Sequence, residues 1–392
     1  MTNTSFPLWP CYSTKEADIV REVLLSNKVN YWTGGHGKLF EKEFAAYTSS
    51  NHAIALANGT LALDLALLAL DVGPGDDVIV TPRTYFASVS SIVTIGANPI
   101  FCDVNLDSQN ISLQSIKNVY TPETKVIILV HLAGMPVDMD PIITFAKSKN
   151  LKIIEDCAQA HGAKYKGRSV GSLGDIGTWS FCQDKIMTTG GEGGMVTCND
   201  QKLWEFMWSY KDHGKSYDKV FNKNHPVGFR WLHDRFGSNF RMTEIQAAIG
   251  RHQLQCMPNW TKIRQQNSVI YNDFLEQFAC VRIAEVNTDV FFHACYKHYV
   301  FLRPKELKTG WTQDRIVQEI SSLGLPCYHG SCAEVYMESA FNDTNWRPKN
   351  RLHNAKLLGE TSLMFLVHPS IQESDMDFAK SVLYKVFSQA CK

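Results

Sequence analysis

From about residue 50 onward, short apolar runs alternate with segments whose apolar residues recur at helical spacing. Residues 52–56 are a candidate strand, and Ala57-Asn-Gly-Thr60 is a turn able to open a helix over 61–70. Apolar runs at 77–82 and 99–104 bracket a helical stretch that ends near 95, and residues 125–131, 141–148 and 151–156 read as a further β-α-β unit. The strand-like runs are rich in Val and Ile and do not alternate with polar residues, as expected when both faces of a strand are covered. The pattern predicts an α/β fold with a mostly parallel sheet and helices on both sides.

After residue 200 the character changes. A helix over 201–210 leads into a polar and aromatic stretch, 211–237, whose length suits a functional loop or one docked on a partner. Helical periodicity returns over 241–256. A strand near 296–303, a helix near 313–323 and a closing helix over 374–390 form a smaller α/β unit. With 392 residues, more than one core usually serves, two domains are expected: a large one over 1–255 that includes the N-terminal segment, and a small C-terminal one over 256–392.

Composition narrows the choice of partner. Thirty-nine basic and thirty-nine acidic side chains cancel, which points to a small ligand rather than nucleic acid. The apolar runs are too short or too interrupted to span a bilayer, and the first 18 residues carry no basic run leading into an apolar stretch. No membrane partner and a cytoplasmic location are therefore expected. The eleven cysteines include no pair at zinc-knuckle spacing, and they are expected to be reduced core residues rather than metal ligands.

The chemistry-bearing residues fall near the carboxyl ends of predicted strands, where open parallel sheets bind ligands. Asn58-Gly59-Thr60 offers backbone N–H groups to a phosphate, and equally reads as an ordinary helix cap. Leu151-Lys-Ile-Ile-Glu-Asp156 ends in two acids; Asp156 at the tip suits a protonated ring nitrogen or the cap of the next segment. Ser180 can add a hydroxyl to the phosphate site. Lys185 lies between a short apolar strand and the glycine-dense turn Thr188-Thr-Gly-Gly-Glu-Gly-Gly194, a place where a partly buried amine is a candidate Schiff-base nucleophile. Phosphate turn, acid and lysine, in that order, are the three parts that pyridoxal 5'-phosphate requires. Between residues 213 and 241, Lys215, Lys219, Lys223, Arg230, Arg235 and Arg241 outnumber Asp218 and Asp234, an excess that suits a pyrophosphate or simply a solvated loop.

At these positions the chain resembles the sugar aminotransferases of the DegT/DnrJ/EryC1/StrS type, within the fold type I pyridoxal-phosphate enzymes. The resemblance runs from Tyr31-Trp-Thr-Gly-Gly35 and Phe40-Glu-Lys-Glu-Phe44 through Ala57-Asn-Gly-Thr-Leu-Ala-Leu63, Thr81-Pro-Arg-Thr-Tyr85 and Ile154-Glu-Asp-Cys-Ala-Gln-Ala-His-Gly162. It continues to Gly237-Ser-Asn-Phe-Arg-Met-Thr-Glu-Ile-Gln-Ala-Ala-Ile-Gly250. It implies that Lys185 joins the cofactor and carries the proton, that Asp156 faces the pyridine nitrogen, that Gln159 lies near the phenolic oxygen and that Tyr85 covers the ring. Gly59, Thr60 and Ser180 match the phosphate cup. Asn239 matches a residue that reaches the phosphate from the other subunit, which implies a homodimer with shared active sites. Tyr31, Trp32, Arg230 and His329 are candidates for contacting the sugar, and no metal is implied. The implied reaction transfers nitrogen from L-glutamate to a nucleotide-linked 4-keto or 3-keto deoxysugar for surface polysaccharide, glycan or antibiotic sugar synthesis. Many members carry His three residues before the lysine, where this chain has Cys182. A dehydratase branch replaces the lysine itself by His, and Lys185 separates this chain from it. The alternative is a dehydrating or aromatizing enzyme similar to the aminohydroxybenzoate synthases, which have a stretch like that after Lys185.

Overall fold

The computed structural model describes residues 6–222 and 230–392. Five strands come first, β1 (His52–Leu56), β2 (Asp77–Val80), β3 (Asn98–Phe101), β4 (Thr124–Val130) and β5 (Lys152–Asp156). The short pair β6 (Lys164–Tyr165) and β7 (Arg168–Ser169) follows, then β8 (Ile176–Ser180) and β9 (Gly194–Cys198). The central sheet has the order β1-β9-β8-β5-β4-β2-β3. β9 runs against both of its neighbours, and every other pairing in the sheet is parallel, so the expected mostly parallel sheet is present. All five residues of β8 and of β9 are buried, and the interiors of β2, β4 and β5 are too, as their unbroken apolar runs require.

Two helices precede the sheet, α1 (Thr14–Leu25) and α2 (His36–Thr48). The apolar pattern does not announce α1, because it buries little besides Glu16 and Val23. Its start is set instead by a capping box in which Ser13 and Glu16 satisfy each other's backbone N–H groups. Helices α3 (Gly59–Ala69), α4 (Ala87–Thr94), α5 (Leu113–Val119), α6 (Met139–Lys149) and α7 (Gln201–Tyr210) connect or flank the strands. Among its described residues the 211–237 stretch contains one short helix, α8 (Tyr217–Phe221), and Lys223 lies outside the described residues.

Helix α9 (Glu244–Leu275) runs past the expected end at 256, through Pro258, for 32 residues. Its first part packs Ala247, Leu254 and Met257 into the cluster around Phe44 and Trp179, while Tyr271 and Leu275 belong to the C-terminal core. Packing on both cores outweighs the one backbone bond that proline removes. One continuous helix thus contributes to both clusters. Glu244, at its first position, accepts from the Gly37 N–H at 2.9 Å, and a side chain on Gly34 would come within 2.1 Å of its carboxylate. The Tyr31–Gly35 motif therefore ties the N-terminal segment to α9.

The C-terminal part of the chain contains β10 (Val281–Arg282), β12 (His298–Leu302), β13 (Cys327–Tyr328) and β14 (Ser362–Phe365), an antiparallel sheet in the order β10-β12-β14-β13. It packs with α10 (Gln313–Ser322) and α12 (Glu373–Ala390), with α11 (His353–Thr361) leading into β14. The extra strand β11 (Phe291–Phe292) reaches back to pair with β6. Among the described residues no helix is long and apolar enough to cross a membrane.

One expectation is corrected. Cys280 and Cys391 form a disulfide with their Cα atoms 5.4 Å apart, whereas all eleven cysteines were expected to be reduced. The two lie 111 residues apart and meet only because α12 returns the chain end to the start of β10, so no local spacing could announce the pair.

Beneath the sheet, Glu155 is fully buried and accepts from the N–H groups of Gly171, Leu173 and Gly174 at 2.7–2.9 Å. His131 Nδ1 accepts from the Val137 N–H, so Nε2 bears the proton and donates to Glu155 at 3.0 Å. Cys157 lies close by, and His131 and Glu155 already spend their lone pairs on the hydrogen bonds just described. Burial works to raise the Glu155 pKa, and the hydrogen bonds from His131 and from the Gly174 and Gly171 N–H groups outweigh it and hold it below the ordinary 4.5. Glu155→Ala is expected to lower unfolding free energy by about 3–5 kcal/mol in chemical denaturation at pH 7. Because the folded-state pKa is the lower one, this stabilisation is complete above pH 4.5 and fades as the pH falls through the folded-state value.

Candidate active site

At the carboxyl ends of β1, β5 and β8 a cavity of about 550 Å³ opens. It brings together Gly59, Thr60, Tyr85, Asp156, Gln159, Ser180 and Lys185, seven residues singled out from the sequence. The alternation of side chains along β5 decides which of its two terminal acids serves here. Glu155 points to the buried clamp described above, and Asp156 points into the cavity.

Asp156 is 5% exposed and firmly oriented. Its Oδ1 accepts from the Ala158 N–H at 3.1 Å, and its Oδ2 from the Ser88 hydroxyl at 2.8 Å, with Thr84 Oγ1 at 2.8 Å from Ser88 Oγ behind it. The Gln159 carboxamide oxygen accepts from the Ala133 N–H at 2.8 Å, which leaves its NH2 as the free donor beside the cavity.

On the opposite wall Asn58 caps α3 by accepting from the Leu61 N–H at 3.0 Å, as the helix-cap reading of this turn requires. The first N–H groups of α3, at Gly59 and Thr60, have no intrahelical acceptor and stand at the positive end of the helix. A side chain on Gly59 would come within 2.6 Å of the Ser180 Cβ, so glycine keeps this cradle open. The arrangement suits pyridoxal phosphate: an anion site at one end, a fixed carboxylate at the other and a lysine between two loops.

Lys185 is half-buried. Its carbonyl accepts from the Trp9 indole N–H at 2.7 Å, and its Nζ lies 5.4 Å from the centre of the Tyr296 ring. The Tyr296 hydroxyl donates to Asp184. Burial, then the charge and hydrogen bond of Asp184, push the Tyr296 phenol well above its ordinary pKa and keep it a neutral donor. Tyr85 stands at the rim with 70% of its surface exposed. A second cavity of about 690 Å³ shares Thr84, Tyr85, Gln159, Asp184 and Lys185 with the first and extends toward Phe6–Trp9, Tyr296, Lys297 and His368.

Other expected residues are not brought here. Tyr31 is buried, donates to Glu41 at 3.0 Å and lies under the Lys211 amine, lining neither cavity. Trp32 packs edge-on against Tyr31 and Trp208. His329 pairs with Asp314 at 2.8 Å, although its neighbours Tyr328 and Gly330 line the second cavity. Arg230 and Asn239 are exposed and line neither cavity. The positive excess of the 211–241 stretch is partly spent within it, since Lys219 pairs with Asp234 and both Lys215 and Arg241 pair with Asp212. Sequence reading missed Trp9, Ser88, Asp184, Tyr296 and Lys297. Ser88, one turn along from Tyr85, had a weak local signal; Trp9 had none, because it meets Lys185 across 176 residues.

Filling the cradle tests its role. Gly59→Val is expected to weaken pyridoxal phosphate binding by well over ~10-fold, and Ser180→Ala by about 10-fold, in titrations of the cofactor-free protein, since a hydrogen bond to a charged group contributes about 1.5–3 kcal/mol.

The sequence profile of the DegT/DnrJ/EryC1/StrS aminotransferase family matches residues 10–383. The GDP-perosamine synthase of Escherichia coli O157:H7 is 40% identical over 297 residues, 76% of this chain and 78% of that protein. The GDP-perosamine synthase of Caulobacter vibrioides is 35% identical over 373 residues, 93% and 95% of the two chains. The crystal structure of an aminotransferase from Psychrobacter cryohalolentis is 54% identical and superposes with a TM-score of 0.95, covering 98% of this chain and 99% of that one. With Lys185, Asp156 and the first turn of α3 lining one cavity, the chain belongs to the DegT/DnrJ/EryC1/StrS aminotransferase family and is a pyridoxal-phosphate-dependent sugar aminotransferase.

Proposed function

We propose that the protein transfers the amino group of L-glutamate to a nucleotide-linked 4-keto or 3-keto deoxyhexose, for surface polysaccharide, glycan or antibiotic sugar synthesis. The observation that carries this reading is that Lys185 stands where two cavities meet. The first has the features of a cofactor site, and the second is large enough for a sugar or an amino acid to approach the same lysine. The GDP-perosamine synthases among its relatives support a nucleotide-linked acceptor.

Bound in the first cavity, the cofactor supplies an electron sink for the carbon that carries the nitrogen. Lys185 takes the proton from that carbon and returns it, acting as base and then acid. Asp156, held by Ser88 and the Ala158 N–H, presents a fixed negative oxygen to the ring nitrogen. Gln159 donates its NH2 to the ring oxygen, and Tyr85 supplies an aromatic face. The N–H groups of Gly59 and Thr60 and the Ser180 hydroxyl hold the phosphate.

The working unit in this reading is a homodimer with shared sites. Trp231 is 85% and Phe236 99% exposed, on the stretch that also carries Asn239, and such a run of bare aromatics suits a partner surface. The rim at Tyr85 is open in a single chain and has room for a residue from a partner.

Purified protein is expected to absorb visible light from its lysine-linked cofactor, a band absent from Lys185→Ala and bleached by L-glutamate. With 15N-labelled glutamate and a nucleotide keto-hexose, mass spectrometry is expected to find the label in the sugar. A dehydration product without nitrogen, or no spectral response to any amino donor, rules the assignment out. Light scattering is expected to give twice the chain mass.

A further inference from the structure

Lys297 is an amine to which the reaction above gives no task. It directly precedes β12 and lines the second cavity but not the first. Its nitrogen lies 4.8 Å from the centre of the same Tyr296 ring that Lys185 approaches. Among the described residues it makes no hydrogen bond or ion pair, and its one nearby acid, Asp184, is engaged by the Tyr296 hydroxyl.

A second charge stands behind it. Arg264 is 1% exposed and donates from Nη1 to the Tyr296 carbonyl at 3.2 Å, its guanidinium carbon is 5.1 Å from the centre of the Trp9 ring, and its Nε and Nη2 have no partner. No carboxylate pairs with it among the described residues. The wall built from Trp9, Tyr296 and Lys297 is therefore positive. Burial lowers the Lys297 pKa to about 8, with Asp184 opposing the shift and Arg264 and Lys185 adding to it. Much of the surrounding wall is apolar, including Leu8, Trp9, Met364 and Leu366, so a charged amine there is costly until an anion joins it.

The reach of the proposed substrates selects the anion. In an amino acid, the α-carboxylate is one bond from the carbon that Lys185 serves, so it stays where the two cavities meet. A carboxylate several bonds away extends into the second cavity, where Lys297 lies. We infer that Lys297 anchors the distal carboxylate of a dicarboxylic amino donor and so sets the preference for that donor. The inference rests on the aminotransferase reading given above. Lys297 on this account binds the substrate directly, away from the reacting bond.

The test uses cofactor-loaded enzyme in single-turnover absorbance measurements with L-glutamate and L-glutamine, which differ only in the charge of the distal group. Wild type is expected to favour glutamate about 10- to 100-fold, the value of one charge-assisted hydrogen bond. Lys297→Met is expected to lose that preference, its glutamate rate falling far more than its glutamine rate with the cofactor spectrum unchanged, and Lys297→Arg to restore part of it. An unaltered preference in Lys297→Met overturns the inference. So does a loss confined to the step that consumes the keto sugar, which would assign the amine to the pyrophosphate. If Lys297→Met does not fold, Lys297→Gln takes its place with the same outcomes. Failure of wild type to respond to any amino donor overturns the aminotransferase reading itself, and is distinguishable because it does not involve the variant.

Discussion

The site depends on how the end of β5 is held. A carboxylate inside a sheet is tolerable only when its lone pairs are filled, and Glu155 fills them with three backbone N–H groups and the proton on His131. That clamp joins β5 to the 171–174 loop on one face and to the segment after β4 on the other. With Glu155 fixed, strand alternation leaves Asp156 one direction to point, into the cavity, where Ser88 and the Ala158 N–H complete its orientation. Two adjacent acids of similar chemistry thus acquire different places, one in a buried clamp and one facing the cavity.

A similar economy governs the lysine. The turn after Lys185 is anchored from α9, since Gln253 accepts from the Thr188 N–H at 2.8 Å, and the Lys185 carbonyl is anchored by Trp9 from the N-terminal segment. The N-terminal segment is itself tied to α9 through Glu244. One long helix therefore braces both the lysine loop and the segment that covers it, and carries the same rigidity into the small domain. The second cavity lies between these parts, so its wall is shared by Phe6–Trp9, the 184–185 loop, the edge of β12 and the approach to α12. Such a chamber suits two substrates that visit one amine in turn.

How much of this was legible beforehand differs by element. The strands before residue 160 and the helices over 201–210, 313–323 and 374–390 could be read closely, because runs covered on both faces and amphipathic stripes leave a local record. Helix α1 left little record, since a capping box and two buried residues suffice to hold it on α9. The continuation of α9 through Pro258 contradicted the local signal, and packing at both ends explains it. Tyr31 and His329 carried suggestive side chains, yet Glu41 and Asp314 claim them.

By itself the sequence determined the α/β class, the order of the strands along the chain and the set Gly59, Asp156, Ser180 and Lys185, because these rest on periodicity and on motifs within a few residues of one another. Tertiary structure alone decided that Glu155 is spent in a buried clamp, that Cys280 joins Cys391, and that Trp9, Tyr296 and Lys297 line the space around the lysine. The physical reason is distance along the chain. Contacts between residues dozens to hundreds of positions apart are set by how the sheet, α9 and the small domain pack, and no window of sequence contains both partners.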